Sequence, residues 1–145
     1  MKTNHWVIIL LILFCLPISS CNSNSGGVEK IQPVKLEPIE GSELKRTILT
    51  EKAAERIDLQ TAPVRQEMVN GVARKVVPYA AVIYDLHGET WLYTNPAPLT
   101  FVRESILIDY IEGDRAILVN SPALGTQVVI VGVAELYGAE TGVSK

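Results

Sequence analysis

No residue after position 21 is a cysteine: the 145-residue chain has two, Cys15 and Cys21, and both lie in or at the end of an apolar leader. Whatever folds downstream can have neither an intrachain disulfide framework nor a cysteine-based metal site, so its apolar core alone must hold it together. The leader itself has a short polar start with one positive charge at Lys2, an apolar stretch of eleven residues from Trp6 to Leu16, and a closing segment of small residues. Spanning a bilayer core as a helix takes about 20 apolar residues, so this stretch is expected to be an export signal that is cut away, residues 1–20. Lys2 is the only charge lost with it, which leaves 125 residues carrying 12 basic against 16 acidic side chains, a balance of −4. Such a mildly acidic surface gives no electrostatic footprint for nucleic acid and no polybasic patch for anionic lipid.

Asn22-Ser23-Asn24-Ser25-Gly26-Gly27 follows the leader, then Pro33, Pro38 and Gly41 scattered among alternating charges. No sustained apolar period runs through this stretch, so 21–45 is expected to be a flexible tether reaching roughly 25 to 30 Å on average.

Leu44 to Leu49 predicts the first strand, and Thr50 the start of a short helix. A threonine there can accept from a free amide of the first turn, and Glu51 favours the positive end of the helix dipole. Ala53, Ala54 and Ile57 give that helix one narrow apolar face, with an end expected near Asp58, before Pro63. Two turns are not stable alone, so the helix must pack on a β-rich body from about Met68 to Leu136. Within that body Val76 to Tyr84, interrupted by Pro78, predicts one strand. Thr90 to Thr94 pairs with it as a hairpin, with Trp91 and Tyr93 on one face and Leu92 on the other. Asn95-Pro96-Ala97-Pro98 is expected to break the pattern. Phe101 to Tyr110 then predicts a longer strand, which turns at Glu112-Gly113-Asp114 and returns over Arg115 to Val119. After the loop Ser121 to Gly125, Val128 to Val133 has the unbroken apolar character of a strand covered on both faces or closed into a small barrel.

Residues able to do chemistry are few. His87 is the only histidine beyond the leader and sits in a turn beside Asp85, without the further ligands that a metal needs. Asp109, Glu112 and Asp114 are three carboxylates in six residues, but their spacing is not that of a calcium loop and turns favour such residues. No nucleophile elbow, phosphate-binding glycine loop or paired acid and base is present, so no enzyme activity and no cofactor or metal are expected. Trp91 with Tyr93 could stack a sugar or a drug, although at strand spacing such residues usually form core and rim.

Ile18-Ser19-Ser20-Cys21 resembles the lipobox of bacterial prelipoproteins. The resemblance implies a diacylglyceryl group on the Cys21 sulfur, cleavage before Cys21, and a covalent lipid as the only attached group. Two or three acyl chains, at about 0.8 kcal/mol per buried methylene, would hold the protein on a bilayer persistently. Asn22 after the cysteine resembles the signal for export to the outer membrane where the envelope has two membranes; otherwise the cell membrane is implied.

A second resemblance covers about residues 46–138. Val77-Pro78-Tyr79-Ala80-Ala81-Val82-Ile83-Tyr84-Asp85 with Gly88, Thr90-Trp91-Leu92-Tyr93-Thr94, Gly125-Thr126-Gln127-Val128-Val129 and Gly132-Val133-Ala134-Glu135-Leu136 resemble the membrane-proximal end of periplasmic adaptors, the membrane fusion subunits of tripartite efflux pumps. Leu49 to Ala54 and Leu59 to Val64 are similar to the segment that precedes the rest of the chain in those adaptors. The resemblance implies a module that works by protein contact with a membrane transporter component. No heptad run is present to supply the long helical hairpin of a full adaptor. A partner is expected at the strand edge near Lys75 to Ala80 or at the loop Asn95 to Leu99, making Pro96 and Pro98, with Trp91 and Tyr93, the candidate contact or ligand residues. A small-ligand-binding lipoprotein and a remnant of a longer adaptor are the alternatives. An apolar pocket lined by Trp91, Tyr93 or Phe101 would favour ligand binding, whereas a filled interior with an exposed sheet edge would favour docking.

The expected fold is thus mainly β: a small barrel or sandwich-like domain over 46–138 with one short helix near its N-terminus. A signal peptide (1–20) and an acylated cysteine with its tether (21–45) precede it, and a tail (139–145) follows.

Overall fold

In the computed structural model the described residues are 32–142, so the leader, Cys21 and the first part of the proposed tether lie outside them. Eleven strands form two antiparallel sheets, and each strand can be placed by what its alternate residues cover. The first sheet has the order β1 (Val34–Pro38), β2 (Lys45–Leu49), β8 (Thr100–Ser105), β7 (Thr90–Ala97), β11 (Gln127–Val131), β3 (Gln60–Pro63), with β6 (Ile83–Tyr84) paired on β7. The second has the order β4 (Arg65–Val69), β5 (Val72–Pro78), β10 (Arg115–Asn120), β9 (Leu107–Glu112).

The middle of the first sheet, at β7 and β11, is covered on both faces, with successive residues of each strand turned to opposite sides. Leu92 and Val128 point to the second sheet, where they meet Val77, Ala116 and Leu118. Their chain neighbours Tyr93 and Val129 point the other way, into a cluster with Leu49, Ile83, Phe101 and Leu136. Two helices cover that second cluster: α1 (Glu51–Arg56), through Ala53 and Ala54, and α2 (Val133–Thr141), through Leu136 and Tyr137. A strand covered on both sides explains why Val128 to Val131 is wholly apolar.

The chain crosses between the sheets four times, after β3, β5, β8 and β10. At three of these corners one apolar side chain, Val64, Ala81 or Ile106, plugs the layer between the sheets. The corners are also tied by backbone bonds: the Val64 amide donates to the Thr126 carbonyl at 2.9 Å, the Gly125 amide to the Val64 carbonyl at 2.9 Å, and the Ile106 amide to the Thr90 carbonyl at 3.0 Å.

α1 forms as its sequence predicts. Thr50 is extended (φ −76°, ψ 155°) and its hydroxyl accepts from the Ala53 amide at 3.2 Å, while Glu51 occupies the first turn. α2 starts at Gly132, whose φ of +87° suits glycine, and a Cβ there would lie 3.0 Å from Ile57 Cδ1. A side chain at position 132 would press on Ile57, which would have to shift by a few tenths of an ångström.

Several expectations are corrected. The sheets do not close into a barrel: β1 and β3 remain edges of the first sheet, β4 and β9 of the second, because the corner residues divert the chain before either sheet can curl round onto itself. The tether does not extend to residue 45, since β1 pairs with β2 from Val34 opposite Leu49 to Pro38 opposite Lys45. Charged Lys35 and Glu37 mask that strand in the sequence, and its proline is tolerated because β1 is an edge. Val76 to Tyr84 is two strands in different sheets, separated by a 3-10 turn at Tyr79–Ala81, and Phe101 to Tyr110 is likewise divided at Ile106. Asn95 and Pro96 belong to β7, where a register shift between Thr94 and Ala97 absorbs them. The domain also runs past residue 138, because α2 reaches Thr141.

Candidate functional site

Strand pairing sets Tyr93 on β7 opposite Arg103 on β8, with Trp91 two residues before Tyr93 on the same face. α2 lies over this face and brings Glu140 and Tyr137 to it. The Tyr93 hydroxyl donates to Glu140 Oε2. Arg103 Nη2 lies 3.4 Å from Glu140 Oε1, and Nε lies 3.4 Å from Oε2 but is aimed too poorly to count as a hydrogen bond, so an ion pair describes the contact better. The guanidinium also sits 4.5 Å from the centre of the Trp91 ring and 5.5 Å from that of Tyr137. On its other side the indole Nε1 donates to Asp85 Oδ2 at 3.1 Å.

This arrangement leaves Tyr93 nothing to offer a ligand. It is fully buried, and burial, then the hydrogen bond to Glu140 and that carboxylate's charge, push its phenol far above the ordinary tyrosine range. Trp91 is half-buried, and Arg103 stacks on its ring. The pair singled out for ligand stacking instead locks the C-terminal helix to the sheet.

Pro96 and Pro98 are exposed at the end of the β7–β8 hairpin, where the Asn95 amide group donates to the Ala97 and Thr100 carbonyls at 2.7 and 2.9 Å. Lys75 to Ala80 is not a sheet edge: most of it lies in β5, which is paired on one side with β4 and on the other with β10. The three clustered carboxylates are not gathered either. Asp109 pairs with Arg74 at 2.7 Å, and Glu112 with Arg115, which also holds Glu67 at 2.5 Å. Among the described residues no three histidine, cysteine or acidic side chains are placed to hold a metal ion, and no helix is long and apolar enough to cross a membrane.

Three grooves flank α1, and one of them, open and of about 370 Å³, is lined by Ala54, Glu55, Asp58, Leu59 and Leu99. The apolar one, between α1, β1 and α2, has about 140 Å³ and is lined by Val34, Leu49, Ile57, Leu136 and Ala139. Drug-sized ligands use about 300 to 1,000 Å³, so it admits only a fragment. The largest, about 550 Å³, runs along the helix past Pro33, Thr50, Glu51, Lys52 and Arg56 and is open.

The exposed apolar residues that matter were missed in the sequence. Leu107, Tyr110 and Ile111 on edge strand β9 are 55%, 36% and 42% exposed, and Val119 beside them on β10 is exposed as well. Read as the end of one long strand from Phe101, they pass for core; only the break at Ile106, which moves them to the rim of the other sheet, reveals them. Compared with protein-family models, curated proteins and solved structures, the chain matches none.

Proposed function

We propose that this protein is a lipid-anchored, extracytoplasmic accessory module that docks by protein contact on a membrane transporter component of the efflux type. The lipobox-like segment ending at Cys21 supports the anchor, and the likeness of residues 46–138 to adaptor membrane-proximal domains supports the partner class. The observation that carries the docking reading over ligand capture is the contrast between a filled interior and an open rim. Tyr93 and Phe101 are sealed at 0% and 1% exposure, while β9 offers an edge dressed with Leu107, Tyr110 and Ile111. An edge strand of that kind can accept a strand from a partner, with backbone bonds supplying affinity and side chains specificity. The helices described span six and nine residues, so the reach of a full adaptor is not built from them.

The test is photo-crosslinking in intact cells from positions 107 and 111. One integral membrane protein should be captured, in a yield that drops in Cys21→Ala because the tether no longer concentrates the domain at the membrane. Failure to capture any protein from these positions, together with saturable binding of a small molecule by the purified chain, would replace docking by ligand capture.

A further inference from the structure

The turn between β6 and β7 is built with more hydrogen bonds than a surface connection needs. The Asp85 carboxylate accepts from the His87 amide at 2.8 Å, the Glu89 amide at 2.9 Å and the Trp91 indole at 3.1 Å. The Asp85 amide donates to the Glu89 carbonyl at 3.0 Å and the Gly88 amide to the Asp85 carbonyl at 3.1 Å, with Gly88 at a φ of +79°. Burial works against the Asp85 charge, but these two amides and the indole outweigh it and hold the carboxyl below its ordinary range. Turn chemistry thus accounts for Asp85 and Gly88. It does not account for Leu86, which stands at the apex 96% exposed, the most exposed of the large apolar side chains described.

A single exposed leucine on a floppy loop would mean little. The backbone on either side of this one is held beforehand, so the turn itself needs little further ordering when Leu86 is seated. Tyr84 and Tyr79, 49% and 39% exposed, stand at the base of the turn, and tyrosine is a residue type that carries binding energy at interfaces. Charge selects the partner. Glu89 is exposed and makes no ion pair among the described residues, and the turn from Tyr84 to Thr90 contains no lysine or arginine. An acidic tip is repelled by an anionic lipid surface and attracted by a basic rim.

We propose that the Tyr84–Glu89 turn is a docking knob, with Leu86 seated in an apolar pocket of a protein partner and Glu89 facing a basic residue on that pocket's rim. The inference rests on the docking reading and names a second contact, separate from the β9 edge. A photo-crosslinking residue replacing exposed His87 in the full-length, lipidated chain tests it in intact cells, with the captured peptide sequenced. One partner segment containing lysine or arginine should be captured. Leu86→Ser and Glu89→Lys should each lower the yield about tenfold, while Leu124→Ser, at another exposed leucine, leaves it unchanged. Neither Leu86→Ser nor Glu89→Lys should move the thermal midpoint, since both side chains are exposed. Capture of lipid, or of protein in a yield indifferent to both Leu86→Ser and Glu89→Lys, would overturn the knob. Adducts from 107 or 111 with none from 87 would overturn it while the docking reading stands; adducts from none of the three would remove both.

Discussion

Glu140→Ala should be among the more damaging truncations on the helix-covered face, and its cost can be worked out from two neighbours. The carboxylate is 4% exposed and faces Arg103, whose side chain is 14% exposed, so its removal leaves a largely buried cation without its counter-charge. Breaking a buried pair in this way costs about 3 to 5 kcal/mol. The Tyr93 hydroxyl also loses its acceptor in a fully buried position, which costs about 1 to 3 kcal/mol. The two losses share one network and do not add in full, and Arg103 keeps its stacking on Trp91 and Tyr137, so we expect about 3 to 5 kcal/mol in total. For a domain of this size each kcal/mol moves the midpoint by about 4 to 8 °C, giving a fall of about 12 to 40 °C. Urea unfolding of the purified chain, followed by tryptophan fluorescence, measures it. Glu140→Gln keeps an acceptor for Tyr93 and should cost less, and adding Arg103→Met to Glu140→Gln should restore part of the loss by removing the stranded charge. A cost below about 1 kcal/mol for Glu140→Ala, or no recovery in the double variant, would refute the account of this cluster as a buried lock.

Two further predictions concern single residues. Because the Tyr93 phenol titrates far higher folded than unfolded, the unfolded chain alone loses this proton above about pH 10, and stability should fall there by up to about 1.4 kcal/mol per pH unit. It is fully present below that pH, and Tyr93→Phe should flatten the alkaline slope relative to the parent in urea titrations at pH 9 to 11; an unchanged slope would contradict the burial of this hydroxyl. Gly132→Ala should cost more than about 1 kcal/mol, from the positive φ and the contact with Ile57, with Ile57→Ala recovering only the steric share in thermal melts.

What could be read from the sequence is what local chemistry dictates. Thr50 and Glu51 announce α1, Glu112-Gly113-Asp114 announces the β9–β10 hairpin, and the alternation of Trp91, Leu92 and Tyr93 gives the faces of β7 correctly. The sheet changes at Ala81 and Ile106 could not be read, because a residue that plugs a corner is as apolar as one inside a strand and leaves the hydrophobic run unbroken. The same ambiguity concealed the β9 rim. α2 was hidden by its composition: Gly132 and Gly138 dilute helix propensity, and its most consequential buried side chain is Glu140, whose partners Tyr93 and Arg103 lie far away in the chain. Cys21 was read from its flanking residues alone and lies outside those the structure describes.

The position of β11 has a kinetic meaning. It is one of the last strands in the chain yet stands inside the first sheet, pairing Val128 with Ala62 of β3 on one side and with Thr94 of β7 on the other. Until β11 has been delivered, β3 has no neighbour in its sheet, and the faces of Leu92 and Tyr93 are covered only in part. Long-range pairings of this kind slow folding to the millisecond-to-second range, and the exposed edges meanwhile invite association with other unfinished chains. Assembly of the first sheet should therefore wait until β11 has been delivered. Shortening the chain before Gln127 should yield an aggregating product rather than a smaller domain.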